Sequence, residues 1–519
     1  MSTADPQYST QDPTDPDRTP GDSTNSARTV QQYIDERPLW SDGTDTPYVP
    51  MTGMQWRIWW LAAAGKFFEG IMIFMTGVAL PLLTIDFDLN TTQQGFVTSA
   101  SLAGILVGAT VLGSLADRYG RKRMFIVEMA VFAVFVAGTT FAPNLVFLVI
   151  CLFGAGIALG CDYPTAHMVI SESAPTVRRG RLVLSAFGFQ SLGAFAGTFL
   201  GFFILYENPE VDAWRWMYGA VIIPAVLVLI GRFFVPDSAH WLMARGRTHE
   251  AETETERLLT REPPYPTHVT LRRGADDEVT TAASGSYLDL FRAKYRRVTI
   301  FASVPWVLQD LSTYGVGIFT PVLLATILGQ QSEVNDLHDV IHNDMLGAEG
   351  SALMDIVFVL GIVAAIFLVE RFGRIRLQIT GFIGCALGLF LVAIASLSPP
   401  DYNIPLLFAG FILFYFMNNL GPNSMTYLIS GEVFPTEIRG KGAGFAASIA
   451  KVGAVAAAFF FPIVQDAIGT STLLFILVGT ALLGVVVTIR YGVETTGVSI
   501  ESMSTADPQD SAASTASRV

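Results

Sequence analysis

Five charged side chains interrupt the long apolar runs of this sequence, and they are the first candidates for chemistry. They are Lys66, Glu69, Asp162, Asp310 and Lys451. A charged side chain inside an apolar run of membrane-spanning length is costly and usually serves a function. Lys66 and Glu69 stand three residues apart, so they could also form a purely structural pair on one helix face. The five residues predict a polar site that handles a proton or a charged solute.

Trp306, Asp310 and Tyr314 follow one another at intervals of four residues. Four residues turn a helix by about 400°, so the three side chains form one stripe about 12 Å tall. All three carry polar groups, and a polar stripe that faced lipid would be expensive. We expect the stripe to face a central cavity. The alternative is an aromatic packing stripe that happens to contain an aspartate.

Asp310 and Lys451 together favour an oxyanion that moves with a proton. Phosphate needs many hydrogen-bond donors, which tyrosine hydroxyls, an indole, amides and the Lys451 ammonium would supply. An ionised Asp310 would repel phosphate, whereas a proton on Asp310 converts the repulsion into a hydrogen bond. Amide and aromatic side chains also suit the hydroxyls of a sugar or polyol, and Lys451 could pair with a carboxylate. Phosphate is favoured, with sugars, polyols and organic anions left open.

Transmembrane helices must position these residues. Of the 519 residues 51% are hydrophobic and only 15% are charged, and the apolar runs of about twenty residues match the thickness of a bilayer core. Lipid offers no partner for a free backbone amide, so each run must be helical. The runs predict twelve spans, near residues 57–83, 94–115, 124–142, 146–170, 183–206, 216–235, 298–327, 351–369, 376–397, 404–430, 443–465 and 472–491.

Basic residues concentrate in the loops after even-numbered spans, whereas the opposite loops are acidic, including residues 333–349. This bias predicts cytoplasmic termini and a cytoplasmic, partly helical loop at 236–296, in a multi-pass protein of the plasma membrane. The tails are rich in Asp, Pro, Ser and Thr, which predicts disorder. The predicted domains are an acidic disordered tail (1–56), an N-terminal bundle (57–235), a linker loop (236–296), a C-terminal bundle (297–492) and a disordered tail (493–519).

Three motifs occur in both predicted halves at nearly the same offset. The run Asp117-Arg-Tyr-Gly-Arg-Lys-Arg123 returns as Glu370-Arg-Phe-Gly-Arg-Ile-Arg376. The pattern Glu172-x-x-Pro-Thr-x-x-Arg179 returns as Glu432-x-x-Pro-Thr-x-x-Arg439, and Pro236-Asp237-Ser238 has a weaker counterpart at residues 493–497. A duplicated six-helix unit predicts an all-α membrane protein of twelve transmembrane helices, with two pseudo-symmetric bundles that rock about a central site.

The charged residues of these motifs predict a gate. Basic residues alone could be topology signals, but topology does not need the carboxylates beside them. We expect ion pairs between helix ends that hold the cytoplasmic side shut and break when the halves rotate. The predicted gate residues are Asp117, Arg121, Glu172, Arg179, Glu370, Arg374, Glu432 and Arg439.

The loop Gly113-x-x-x-Asp117-Arg118-x-Gly120-Arg121-Lys122 resembles the signature of the major facilitator superfamily. The Glu-x-x-Pro-Thr-x-x-Arg-Gly motifs resemble those of its sugar porters and phosphate symporters, and the match covers about residues 57–497. The membrane residues are most similar to the phosphate:proton symporters. The runs that carry this similarity are Gly160-Cys-Asp162-Tyr163-Pro164, the Trp306 stripe, Leu420-Gly-Pro-Asn423 and the lysine at 451.

The resemblance implies a major facilitator fold with a phosphate site. It implies that this site is lined by Tyr163, Gln190, Trp306, Asp310, Tyr314 and Asn423, with Lys451 as a charge partner. It further implies that Asp162 and Asp310 handle the proton. The family usually shows an Asp-x-x-Asp-type pattern in helix 1, whereas this chain has Glu69 followed by Met72. Glu69 is therefore the candidate for proton coupling in that helix.

We predict a proton-coupled secondary transporter that moves a small polar solute by alternating access, with inorganic phosphate as the favoured substrate. Its partners would be the solute, protons and the lipid bilayer. A sugar, polyol or organic-anion symporter is the alternative, and a non-transporting nutrient sensor is disfavoured by the short, low-complexity tails. The sequence contains no Walker-type run and no catalytic constellation. We predict no enzyme activity, catalytic residue, metal, cofactor or nucleic-acid partner.

Overall fold

The computed structural model describes residues 27–36, 50–112, 115–260, 269–272, 287–329, 337–397, 402–434 and 438–494. Within these ranges the secondary structure is helical, apart from one β-bridge between Arg28 and Leu271. Many large apolar side chains are exposed, among them Val134, Phe141 and Phe367. Apolar side chains on the outer surface are what a bundle immersed in lipid requires.

The described part of the first half contains six long helices and several short ones. The elements are α1 (Val30–Asp35), α2 (Gly53–Phe87), α3 (Thr91–Val107) with a π-helical continuation (Gly108–Leu112), α4 (Leu115–Tyr119), α5 (Arg121–Thr140), α6 (Leu145–Ser173), α7 (Arg179–Phe187), α8 (Phe189–Glu207) and α9 (Ala213–Phe233). Side-chain caps begin several of them. Thr52 and Gln55 form a reciprocal capping box at the start of α2, and Asn90 and Gln93 form another at α3, which satisfies amides that would otherwise lack partners.

The described parts of the linker and of the second half are also helical. Their elements are α10 (Ala239–Ala244), α11 (Thr248–Leu259), a 3₁₀ helix (Tyr287–Phe291), α12 (Ala293–Gly329), α13 (Leu337–Phe372), α14 (Arg374–Ala395), α15 (Ile404–Leu420), α16 (Pro422–Glu432), α17 (Arg439–Ile468) and α18 (Thr470–Tyr491). The prediction of a partly helical linker agrees with α10 and α11. The exact domain boundaries stay predictions.

Eleven helical segments of the described chain are long and apolar enough to cross a membrane. The remaining predicted span, near 94–115, corresponds to α3 and its π-helical continuation, after which residues 113–114 lie outside the described ranges. The predicted all-α architecture of two six-helix bundles is confirmed. The face of the membrane domain that carries the repeated loops is called the motif face below, and the opposite face is called the far face.

Two of the crossings are interrupted near the middle of the protein. Helices α7 and α8 meet at Gly188, and α15 and α16 meet at Gly421. Pro422 follows Gly421 and has no amide hydrogen to donate, so one bond of the helical hydrogen-bond ladder is missing at this point. Broken helices at this depth are a usual feature of transporter binding sites.

The two halves approach each other closely on the far-face side. A Cβ atom added to Gly77 of α2 would lie 2.0 Å from the Ile318 carbonyl oxygen of α12, so only glycine fits there. Thr98 of α3 donates from its hydroxyl to the carbonyl oxygen of Ala458 in α17, at 2.8 Å. These backbone-level contacts close the structure on the far-face side.

In the predicted disordered tail, residues 27–36 are folded. The Asp35 carboxylate accepts hydrogen bonds from the backbone amide (2.8 Å) and the hydroxyl (2.7 Å) of Thr176. Val30, Tyr33 and Ile34 are buried in an apolar cluster that includes residues of α10 and α11. The sequence did not predict this short amphipathic helix because the composition of the surrounding tail is polar. Residues 1–26, 37–49 and 495–519 lie outside the described ranges, so the prediction of disorder there is untested.

Helix α13 begins well before the span predicted at 351–369. It starts at Leu337, so Asp344 lies inside a helix and is only 1% exposed. The sequence predicts an acidic loop at residues 333–349. Acidic residues normally indicate solvent, but here packing against neighbouring helices buries the first turns of α13. Which face of the membrane is cytoplasmic stays a prediction.

Candidate functional site

A buried group of four charged side chains lies between the two halves. Lys66 of α2 donates to the Glu69 carboxylate, and Lys451 of α17 reaches the other oxygen of Glu69 at 3.4 Å. The Lys451 ammonium also lies 3.8 Å from Asp310 Oδ2 of α12. All four are at most 9% exposed. The structure therefore unites residues from both halves into one cluster, called the central charge cluster below.

The two carboxylates of this cluster have different environments. Glu69 accepts hydrogen bonds from both lysines and one from the Gln190 amide, at 3.3 Å. Asp310 Oδ2 makes no hydrogen bond within the described chain, and its ion pair with Lys451 is long. A carboxylate with several donors is well stabilised as an anion, whereas a buried one with few is not. Asp310 is thus the better placed of the two to carry a proton.

Tyr314 connects the halves through its hydroxyl oxygen. That oxygen accepts hydrogen bonds from Lys451 Nζ at 2.7 Å and from Gln190 Nε2 at 2.9 Å. The predicted stripe on α12 does face the centre, because Asp310 and Tyr314 both contact Lys451. Gln190, Asp310, Tyr314 and Lys451 therefore belong to one network, and their role in binding a solute stays a prediction.

The charges of the central cluster balance. Lys66 and Lys451 supply two positive charges, and Glu69 and Asp310 supply two negative charges. The Lys451 ammonium is already engaged with two acids and a phenol, so little positive charge remains for an anionic solute. This geometry weakens the argument that Lys451 selects phosphate.

A network of neutral amides and hydroxyls lies next to the cluster. Gln309, which precedes Asp310, donates to Asn423 Oδ1 at 3.0 Å, and Asn423 donates to Asn419 Oδ1 at 2.8 Å. Asn418 and Gln309 both donate to the Thr313 hydroxyl. Only Asn423 of this group was predicted. The others lie in the same apolar spans, and polar residues at membrane depth are the signal that could have revealed them.

An aromatic wall borders the site toward the motif face. Lys66 Nζ lies 3.7 Å from the centre of the Tyr163 ring, an arrangement that stabilises the cation. Tyr427 of α16 packs edge-on against Tyr163 and Trp306 and stacks on Phe187. The Tyr163 hydroxyl is buried without a hydrogen-bond partner within the described chain. Two residues of this wall, Tyr163 and Trp306, were predicted to line the substrate site. Tyr427, which contacts both, was not predicted.

Asp162 belongs to a second buried group, which adjoins the first where Asp162 packs against Gly65, the neighbour of Lys66. Its Oδ1 lies 2.7 Å from Arg232 Nη2 of α9, and Arg232 Nη1 lies 3.7 Å from Glu128 Oε1 of α5. Arg232 further donates to the carbonyl oxygens of Phe125 and Leu61. All of these residues lie in the first half, and the predicted role of Asp162 in proton coupling stays a prediction. Glu128 and Arg232 also fall inside apolar spans, so the sequence could have revealed them.

The repeated motifs form matching ion pairs on the motif face. In the first half Arg121 lies 3.2 Å from Glu172, whose second oxygen accepts from the Ser238 hydroxyl. In the second half Arg374 pairs with Glu432 at 3.2 Å and with Glu370 at 3.1 Å. Both sets join helices within one half. Five of the eight predicted gate residues thus form ion pairs between helix ends, and their action as a gate stays a prediction.

The weaker repeat after the sixth and twelfth spans has the same contact in both halves. Asp237 accepts from the Lys122 amide at 3.4 Å, at the start of α5. Glu494 accepts from the amides of Arg374 and Ile375 at 3.1 Å, at the start of α14. A carboxylate at a helix N-terminus stabilises the exposed amides and the helix dipole. This helix cap, common to both halves, explains why the motif at residues 236–238 recurs in weaker form at residues 493–497.

The remaining predicted gate residues differ in their surroundings. Arg179 donates to the Gln31 side chain of α1 at 3.0 Å, so it holds the N-terminal segment rather than an acidic gate residue. The side chains of Asp117 and Arg439 lie outside the described residues.

The sequence profile of the family described as "Sugar (and other) transporter" matches residues 40–506. The major myo-inositol transporter IolT of Bacillus subtilis is 29% identical, over 84% of this chain and 91% of its own length. The glucose transporter GlcP of Staphylococcus epidermidis is 26% identical, over 87% of this chain and 97% of its own. The niacin transporter NiaP of Acinetobacter baylyi is 27% identical, over 88% and 98% of the two chains.

Solved structures support the same fold. The xylose transporter XylE from Escherichia coli, in its inward-open conformation, superposes with a TM-score of 0.70 at 20% identity, over 87% of this chain and 99% of its own. The proton:xylose symporter XylE bound to 6-bromo-6-deoxy-D-glucose gives a TM-score of 0.65 at 19% identity, over 87% and 98%. The described helices therefore adopt the major facilitator fold.

Proposed function

The chain belongs to the sugar (and other) transporter family, and from this premise we propose that it is a proton-coupled symporter of a neutral sugar or polyol. It is a multi-pass membrane transporter, not an enzyme. The observation that carries the proposal is the layer of neutral amides beside a central cluster in which both lysines are already paired with Glu69. Such a site offers donors and acceptors to hydroxyl groups and leaves neither lysine free for an anion.

The prediction of phosphate as substrate gains no support from the comparisons. Relatives of this chain are named for glucose, myo-inositol and niacin. The physical reason for the difference lies in Lys451. From the sequence it looked like a free cation for an oxyanion, whereas it lies beside Glu69 and Asp310. A sugar or polyol, the alternative substrate, fits the site better than phosphate does.

The proposed binding surface combines the neutral network with the aromatic wall. Gln309, Asn423 and Gln190 present amide groups that suit pairs of neighbouring hydroxyls. Tyr427 and Trp306 add flat apolar surface, which suits the C–H face of a sugar ring. Selectivity for a hydroxylated solute follows because hydroxyl groups replace the hydrogen bonds that these amides make with one another, whereas an apolar solute that displaced those bonds would leave the amides without partners.

The proposed coupling acts through Asp310. With a proton on Asp310, Lys451 keeps its bonds to Glu69 and Tyr314, and the central cluster retains one positive charge. When the proton leaves, Asp310 competes with Glu69 for the Lys451 ammonium, which alters the contact between the halves. Binding of the proton and closure around the solute thereby favour each other. The transporter would lie in the plasma membrane with the motif face toward the cytoplasm.

An organic anion is the second candidate, because niacin, the solute named for one relative, carries a carboxylate. The test is uptake of labelled D-glucose, myo-inositol, niacin and inorganic phosphate by proteoliposomes with an imposed pH gradient. Gradient-driven accumulation of D-glucose or myo-inositol supports the proposal. Accumulation of niacin or phosphate alone contradicts it, and exchange that no pH gradient drives contradicts the coupling.

A further inference from the structure

One face of α13 carries a row of buried polar side chains that the proposed site does not use. Asp344, Ser351 and Asp355 are separated by seven and four residues, so they lie within about 40° of one another on the helix surface. Each is at most 2% exposed. Asp344 lies nearer the far face and Asp355 about 16 Å deeper, toward the central cluster.

The polar atoms of this row lack partners within the described chain. Both carboxylate oxygens of Asp344, the Ser351 hydroxyl and Asp355 Oδ1 make no hydrogen bond. The single bond is from the Thr198 hydroxyl of α8 to Asp355 Oδ2, at 2.9 Å. Buried polar atoms are normally satisfied, and an ionised carboxylate without partners is strongly disfavoured. These acids therefore need a proton or a bound cation.

No positive charge compensates either carboxylate. Within the described residues neither acid forms an ion pair with lysine, arginine or histidine, and no charged group of a neighbouring helix acts on them. The titratable group within reach of Asp355 is the Tyr415 phenol of α15, which donates to Thr320 of α12 at 2.8 Å. The described residues form no cluster of three ligands that could hold a metal ion. A proton is the simplest ligand that neutralises such an acid.

Asp355 also lies at the junction of the two halves and close to the substrate site. Its partner Thr198 belongs to the first half, whereas α13 belongs to the second. One turn further along α13, the Phe358 carbonyl oxygen accepts from Asn419, which also contacts Ser191 of α8 and Asn423. Parting the halves on the far-face side would break the Thr198 bond and expose Asp355 to water.

We propose that Asp355, reached through Asp344 and Ser351, binds a transported proton on a route separate from the central charge cluster. This inference deepens the proposed function and rests on its proton coupling. When the far face is open, an oxygen of the hydrated Asp355 carboxylate takes a proton from water. Closure on the far-face side then buries the neutral acid against Thr198, and ionisation of a buried acid is disfavoured. When the halves part on the motif-face side, the proton leaves Asp355 for the water that enters between them.

The test compares Asp355→Asn with the parent protein in proteoliposomes, using D-glucose or myo-inositol, whichever the parent exchanges. Asparagine keeps a polar group of the same shape but cannot titrate. Exchange at equal pH should stay within about twofold of the parent, while accumulation driven by a pH gradient should fall at least about tenfold. The exposed acid Asp466 supplies a matched control, because Asp466→Asn removes a carboxylate from solvent-facing helix surface.

Infrared spectroscopy of the purified protein gives a readout that needs no solute. The parent should show the carbonyl absorption of a protonated, buried carboxylic acid at neutral pH, and Asp355→Asn should lose part of it. Should that variant fail to assemble, Thr198→Val tests the same point, because loss of its hydroxyl should shift the pH at which this absorption changes.

The outcomes separate the inference from the proposed function. Full accumulation and an unchanged infrared signal in Asp355→Asn overturn the inference. Parent accumulation that follows a sodium gradient and is lost in Asp355→Asn also overturns it, because the site would then hold a metal cation. A parent that exchanges solute without accumulating it contradicts the proposed function, while loss of the infrared signal in Asp355→Asn would still support the proton site.

Discussion

Lys451 donates a hydrogen bond to the hydroxyl oxygen of Tyr314 at 2.7 Å, although the two residues are 137 positions apart. The same oxygen accepts from Gln190, a residue of the other half. One phenol thus joins a charged group and an amide from opposite bundles. The bond from Gln190 crosses between the halves, so their relative movement must stretch or break it, whereas the bond from Lys451 lies within the second half. Tyr314 is therefore a direct point of contact between solute binding and conformational change.

Tyr314→Phe should weaken solute binding without unfolding the protein. The change removes the acceptor of two hydrogen bonds, each worth about 1 kcal/mol, so we expect roughly a 10- to 30-fold loss of affinity. Tyr218→Phe is the matched control, since it removes a buried hydroxyl that bonds Thr76 within the first half at 2.8 Å. Binding measured on purified protein checks both variants. Equal losses in the two would show that the effect is one of general packing.

Asp310→Asn should separate binding from coupling. The amide keeps a neutral hydrogen-bonding group but cannot carry a proton, so solute exchange should persist while accumulation driven by a pH gradient disappears. Glu69→Gln should behave differently, because it leaves Lys66 and Lys451 buried without their shared acid, which is costly. We expect loss of both exchange and thermal stability. Gradient-driven accumulation at the parent level in Asp310→Asn would remove Asp310 from the coupling scheme.

Arg232→Ala should strongly destabilise the first half. It would leave Glu128 and Asp162 as buried acids without a cation, at a cost of roughly 3–5 kcal/mol. Arg215→Ala is the control, because its pair with Asp86 is about one third exposed on both sides and should be worth at most about 1 kcal/mol. Thermal unfolding in detergent measures both. Adding Glu128→Gln and Asp162→Asn to Arg232→Ala should restore much of the loss, and absence of rescue would argue against a charge effect.

Arg374→Ala should slow transport far more than it weakens binding. Arg374 of α14 forms ion pairs with Glu370 and Glu432 within the second half. Its loss weakens the contacts between helices of this half, which must move as a rigid body. We expect exchange to slow by at least about tenfold while solute affinity stays within about twofold. Arg121→Ala should give the same pattern in the first half. A large loss of affinity at an unchanged exchange rate would contradict the proposed gate role.

Much of the architecture followed from the sequence because its causes are local. Apolar length fixed the membrane spans, and the duplicated motifs indicated two matching halves. The stripe of Asp310 and Tyr314 was predictable because helical spacing alone aligns them. The neighbours of Lys451 were not, since Glu69 lies 382 positions away in the chain and only tertiary packing brings them together. That missing contact is why phosphate looked favourable.

Three features that the sequence did not reveal share a different cause. The pairing of Asp162 with Arg232, the burial of Asp344 and the folding of residues 27–36 all depend on which helix or loop happens to pack alongside. A polar residue in an apolar run predicts that a partner exists, but its identity depends on the arrangement of the helices. Likewise, composition predicts disorder for a segment as a whole and misses a single turn that docks on a neighbour.

The docking of α1 has a practical consequence for measuring motion. Asp35 holds Thr176, and Arg28 forms a β-bridge with Leu271, so the N-terminal segment and the linker travel with the first half as one body. A spin or fluorescent label at exposed Gln32 therefore reports the first half. The distance between labels at Gln32 and at exposed His249 should stay constant through the cycle. The distance between labels at Gln32 and at exposed Leu288, next to α12, should change with each turnover. A label on the N-terminal segment therefore reports the tilt angle between the halves.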